Sequence, residues 1–103
     1  MALSIKTDNP TGLLTAIKKA IDDNEIETWS YDTDGDFTHT PEQWKKKAWL
    51  RPNFESTDIL KFVVIAPQNT TLTKEVIGVY HGRFIEMLMA HFGAKFETVT
   101  AIN

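Results

Sequence analysis

A chain of 103 residues, 42% of them hydrophobic and with three Trp, two Tyr and six Phe, has the apolar mass for one domain spanning residues 1–103. It contains no cysteine, which excludes disulfides, thiolate metal sites and cysteine nucleophiles. Its net charge of −3 argues against a dedicated nucleic-acid binder, and no stretch approaches the length of a membrane span, so the expected compartment is the cytoplasm.

That charge is unevenly spread. No Lys or Arg lies between Lys19 and Lys45, whereas Asp22, Asp23, Glu25, Glu27, Asp32, Asp34, Asp36 and Glu42 all do. Lys45, Lys46, Lys47 and Arg51 follow at once. An acidic block abutting a basic one is the least generic feature of the sequence.

In chain order, residues 1–8 read as a loose arm or a short edge strand through Leu3 and Ile5. Asn9 or Asp8 followed by Pro10 is a helix start, because proline at the first helical position gives up no needed hydrogen bond. The helix runs to about Asp23 with Leu13, Leu14, Ile17, Ala20 and Ile21 on one face. From Ile26 the period shortens to two. Ile26–Tyr31 and Asp36–Thr40 flank Asp34-Gly35, the signal of a two-residue hairpin turn. Pairing about that turn sets Trp29 and Tyr31 against Thr40 and Thr38, with Phe37 and His39 on the opposite face.

Thr40-Pro41-Glu42-Gln43 has the form of a capping box and predicts a short helix to about Lys47, anchored by Trp44. Residues 48–55 read as a strand whose Pro52 marks an edge or a bulge. After a turn at Thr57-Asp58, residues 59–66 form a nearly continuous β-branched run, the candidate central strand. From Thr71 or Thr73 to Phe92, Leu72, Val76, Tyr80, Phe84, Leu88 and Phe92 recur every four residues, a helix built to lie on a sheet. Gly93 is the expected left-handed stop, and the chain ends in a strand. The order α-β-β-(short α)-β-β-α-β predicts an α+β fold: a mostly antiparallel sheet of four or five strands with the two main helices on one face.

The chemistry-bearing candidates are few. Asp32, Asp34 and Asp36 around Gly35 suggest a calcium loop, but the register of such a loop would put Pro41 where its bidentate Glu belongs, so turn chemistry explains them. No glycine-rich phosphate loop and no nucleophile elbow is present. The three histidines lie on different predicted elements without metal-ligand spacing; His91 suits a helix C-terminus, His81 the Ile77–Ile85 edge of the apolar stripe as a boundary residue, and His39 alone is kept as a candidate site residue. No catalytic residue, metal ligand or cofactor is assigned.

The expected function is therefore non-catalytic: binding of another protein with a basic surface through Glu27, Trp29, Tyr31, Asp32, Asp34 and Asp36, the aromatics serving as anchors. One alternative is single-stranded nucleic acid on Lys45, Lys46, Lys47, Trp49 and Arg51, where bases interleave with aromatics. Another is a small-molecule or enzyme site assembled by folding around His39 or a buried carboxylate. Finally, Gly78 and Gly82, four apart on the long helix, mark either a close approach by another element of the same chain or a homodimer seam.

Overall fold

The computed structural model describes residues 1–103. Asn9 caps the first helix, its side-chain oxygen accepting from the Gly12 amide at 2.9 Å. This helix, α1, spans Pro10–Asp22. The second helix, α2, spans Lys74–Phe92 and is capped by Thr73, whose hydroxyl accepts from the Val76 amide at 3.2 Å. Six strands complete the fold: β1 (Ala2–Lys6), β2 (Trp29–Tyr31), β3 (Phe37–His39), β4 (Trp49–Ser56), β5 (Ile59–Ile65) and β6 (Thr98–Ile102). They form one antiparallel sheet in the order β2-β3-β4-β5-β1-β6. No helix is long and apolar enough to cross a membrane.

Strand register puts the core residues on one face. Leu3 opposes Phe62, Ile5 opposes Leu60, Leu50 opposes both Val64 and Phe37, and Trp29 opposes His39. Leu13, Ile17 and Ala20 of α1 and Tyr80, Phe84 and Leu88 of α2 join these side chains in a single apolar cluster. Both helices thus cover the same face, and the α+β class read from the sequence is correct. The other face carries Ser4, Arg51 and Lys61, with Trp49, Val63 and Ile65 half-buried among them.

Details differ from the sequence reading, each for a physical reason. The N-terminal residues are an interior strand, β1, paired on both sides with β5 and β6. Its five residues are too few to show their role by pattern alone. Residues 41–47 are turns instead of a short helix. The Trp44 and Lys45 amides both donate to the Pro41 carbonyl, but Lys46 adopts a φ of 58° that a right-handed helix cannot contain. Gly93 keeps right-handed backbone at φ −54°, and the left-handed residue after α1 is Asn24 at φ 61°. Pro52 does lie on an edge-like stretch: β3 pairs with β4 only at Leu50, and a bulge follows between Phe54 and Ser56.

The largest correction concerns the first hairpin. Its loop has three residues, Thr33, Asp34 and Gly35, closed by the Asp32 amide donating to the Asp36 carbonyl at 3.0 Å. Gly35 sits at φ 83° to complete this turn. The Asp32 side chain braces it, accepting from the Asp34 amide at 3.0 Å and the Asp36 amide at 2.9 Å. One extra loop residue slips the pairing by one, so Trp29 meets His39 and Tyr31 meets Phe37. All four rings therefore face the helices. Trp29 is 1% exposed and packs edge-on to Tyr80 and Phe84 with centroids 5.6 and 5.0 Å away.

A buried polar node ties α2 to the β3–β4 connection. The Tyr80 hydroxyl donates to the Trp44 carbonyl at 2.5 Å and contacts the Thr38 hydroxyl at 2.9 Å. Thr38 in turn accepts from the Lys46 amide at 3.0 Å and lies 3.1 Å from the Ala48 carbonyl. Since the Tyr80 proton is committed to Trp44, the Thr38 proton is shared between Tyr80 and Ala48.

The left-handed turn residue should be the point at which the hairpin is most sensitive. A Cβ at Gly35 would meet only the Lys18 ammonium, at 3.7 Å, so Gly35→Ala carries backbone strain and no clash. It should lower the unfolding free energy by about 1–2 kcal/mol in urea titration; an unchanged midpoint would contradict this account of the turn.

Candidate functional site

The residues expected to bind a partner separate into two groups. Trp29 is core, and Asp36 is 6% exposed, its carboxylate held by the Arg51 Nε at 3.0 Å and Nη2 at 2.9 Å. These two cannot serve as surface contacts, because their side chains are already spent inside the fold. Glu27, Asp32 and Asp34 are exposed, and Tyr31 is half-buried.

Tyr31 does something the sequence did not suggest. Its hydroxyl donates to the Asp22 carboxylate at 2.7 Å, and the Lys18 ammonium lies 5.3 Å from its ring centroid. The hairpin is thereby fastened to the C-terminal turn of α1. Asp22 and Asp23, which lie at the unfavourable end of a helix dipole, each have a partner: Tyr31 for Asp22 and the Lys19 ammonium at 2.7 Å for Asp23. Asp22, Asp23, Glu25, Glu27, Asp32 and Asp34 are all exposed and come from three consecutive segments of chain joined at this bond.

Behind Glu25 and Glu27 lies a cleft of about 430 Å³. Its near wall is the α1–β2 connection, which Thr40 pins by donating its hydroxyl to the Glu27 carbonyl at 2.7 Å and its amide to the Thr28 carbonyl at 2.8 Å. Its far wall is α2, which contributes Arg83, Glu86 and His91. His39 lies between them at 2% exposure, its ring tilted over Trp29 with centroids 4.5 Å apart.

The state of His39 follows from its contacts. Nδ1 lies 2.7 Å from the Thr28 carbonyl, which can only accept, so Nδ1 carries the proton and the Nε2 lone pair is left as an acceptor. That Nε2 is buried and has no partner in the protein. Burial pulls the His39 pKa below the ordinary histidine value and the Arg83 charge adds to this; the Thr28 hydrogen bond and the Glu86 charge oppose it. His39 is thus a neutral, oriented acceptor near physiological pH. His81, read from the sequence as a boundary residue, is 5% exposed, and burial lowers its pKa too. No three His, Asp or Glu side chains stand together in a way that could hold a metal ion.

The basic segment does not form one free surface. Lys45, Lys46 and Lys47 are exposed in the turn after β3, Trp49 is half-buried on the helix-free face of the sheet, and Arg51 is occupied by Asp36. Gly78 and Gly82 also depart from expectation. No other element packs on them, and a Cβ on either would meet nothing within 4 Å. A close intramolecular approach is therefore not why they are glycine. They line a shallow trough on the solvent side of α2 that shares Arg83 and Glu86 with the His39 cleft.

His39 is legible in the sequence but is expected on the face opposite Trp29; Arg83 goes unnoticed there, and Glu86 is weighed only for metal-ligand spacing with His81 or His91, which it lacks. The available signal is the i, i+3 spacing of those two on α2, which is too common to stand out.

No family model matches the chain, and neither does any curated protein or solved structure.

Two measurements test this description. Because the folded state holds His39 and His81 below the unfolded histidine value of about 6.5, the unfolded chain takes up protons first as pH falls. Stability from these two groups is complete above that value and is lost as pH drops below it. The urea midpoint should be lower at pH 5.5 than at 7.5, and imidazole NMR should titrate both rings below the ordinary range. Gly78→Ala and Gly82→Ala, by contrast, should each raise stability by up to about 1 kcal/mol, since both positions are helical and open.

Proposed function

We propose that the protein is a non-catalytic interaction module that docks a basic protein partner on the surface formed by Glu25, Glu27, Asp32 and Asp34, with Tyr31 at its base. The observation that supports this reading is the Tyr31–Asp22 hydrogen bond, which joins carboxylates from α1, the α1–β2 connection and the hairpin into one surface. Lys19 is the one base paired on that surface, and it offsets Asp23 alone. The remaining carboxylates carry no ion pair. Lys18 over the Tyr31 ring and Arg51, which feels Asp34 and Asp32, stand nearby, but Asp22, Glu25, Glu27, Asp32 and Asp34 outnumber them. A net negative field therefore reaches solvent and can steer a cationic partner.

Rim charges of this kind act mainly on the rate of encounter and on salt dependence. With a partner recovered from the native host, the combined change Glu27→Gln, Asp32→Asn and Asp34→Asn should weaken association by about tenfold at low salt. The difference should shrink above physiological ionic strength, where the screening length falls below about 8 Å. Asp36→Asn should behave differently, lowering stability through Arg51 without changing the salt slope. Equal affinity of the triple variant and the parent at low salt would end this reading.

A further inference from the structure

We infer that the cleft at His39 receives the cationic head group of an arginine or lysine side chain; as a contact made by a protein partner, this rests on the docking reading above. Three carboxylates line the cleft, Glu25, Glu27 and Glu86, against one fixed base, Arg83. None of the four is in a salt bridge. The lining is therefore net acidic in the absence of a ligand and lacks the counter-charge that Arg51 supplies to Asp36 elsewhere in the fold.

His39 gives the independent indication. Its Nε2 is the only buried side-chain nitrogen or oxygen of this lining without a hydrogen bond, and its tautomer, fixed by Thr28, makes it an acceptor. A buried acceptor left unpaired has lost its water without replacement; Nε2 has no exposed surface of its own, so a donor in the cleft reaches it only as the ring or the wall shifts on binding. An anion would face three carboxylates and a lone pair against the single charge of Arg83. An apolar group would leave all of them unsatisfied. A guanidinium or an ammonium supplies both the positive charge and several N–H donors.

The walls also suit a side chain more than a free ion. Met87, Ile26 and Pro41 line the same cleft and offer apolar surface to the methylene stem of such a residue. The trough beside Gly78 and Gly82 shares Arg83 and Glu86 with the cleft, and without a Cβ it leaves room for a partner's backbone to lie close to α2.

The test uses the intact chain and small probes, so it does not depend on having the partner. Nα-acetyl-arginine amide and Nα-acetyl-lysine amide should shift the His39 ring resonances saturably, with dissociation constants on the order of millimolar. Nα-acetyl-citrulline amide, which keeps the shape and loses the charge, should not, and neither should inorganic phosphate. Glu27→Gln combined with Glu86→Gln, both exposed positions whose change leaves the core intact, should weaken probe binding about tenfold, a loss of about 1.4 kcal/mol. Citrulline binding equal to arginine binding, phosphate occupying the cleft, or indifference of probe affinity to the two Gln changes would each overturn the inference. If the probes fail while Asp32→Asn and Asp34→Asn still weaken the partner, the cleft assignment falls and the docking surface stands. If the probes bind while those two changes leave the partner unaffected, the cleft stands as a cation site and the docking surface falls.

Discussion

The constraint on which the structure depends is the three-residue loop at Thr33–Gly35. A strand has a side-chain period of two, so one residue more or less in a hairpin loop moves every side chain of one strand to the other face. Here the extra residue, accommodated by Gly35 at positive φ, brings Trp29, Tyr31, Phe37 and His39 together beneath the helices. Fully burying a side chain the size of Phe37 contributes about 1.5–3 kcal/mol, and the alternative register would forfeit the gain for Phe37 or for Trp29. The core thus enforces the loop as firmly as the loop sets the core. The same register delivers the Tyr31 hydroxyl to Asp22 and the His39 ring to the cleft, so scaffold and site are specified by a single event.

Polar atoms inside this fold mostly serve to fix geometry. Tyr80, Thr38 and the backbone of Trp44, Lys46 and Ala48 satisfy one another in a place where β3 and β4 diverge and sheet hydrogen bonds are no longer available. Replacing such a node with apolar groups would leave carbonyls without donors, so its value is in the cost of its absence more than in its own strength. It also explains why residues 41–47, with every local signal for a helix, form turns instead. A helix there would carry the Lys46 amide away from Thr38, and long-range satisfaction outweighs a local capping preference worth about 1 kcal/mol.

How much of this was legible in the sequence follows from the range of each determinant. Asn9-Pro10 and Thr73 announce helix starts through hydrogen bonds that close within three residues, and each is one of the two caps the sequence offers at its helix. The run from Ile59 to Ile65 is legible because it is apolar almost without interruption. The hairpin turn was recognisable from Asp34-Gly35, but its loop length was not, since Asp-Gly suits a two-residue and a three-residue turn alike. The decision rests with the rings of Tyr80 and Phe84, against which Trp29 packs and which no local window around the hairpin contains. β1 was underestimated for a related reason. Its place between β5 and β6 depends on strands that follow it by more than fifty residues. Of the candidate site, composition exposed the acidic run but could not tell Asp36, turned inward to Arg51, from Asp34, turned outward.

That division of the carboxylates bears directly on what the surface can do. An ion pair such as Asp36–Arg51 is electrically quiet at a distance, because its two charges largely cancel there. The exposed carboxylates without an ion pair set the field around that surface. Eight acidic residues in the sequence block therefore overstate the surface, while the bond from Tyr31 to Asp22 restores part of it by gathering what remains. Arg83 then has a defined place in the proposed mode of binding. A cleft lined by carboxylates alone would hold a cationic head group equally well in many orientations. The single base of the lining, Arg83 on α2, three residues from Glu86, penalises those that crowd it and leaves the head group to the acceptors it does not neighbour. Specificity in such a site comes as much from the repelling guanidinium as from the attracting carboxylates.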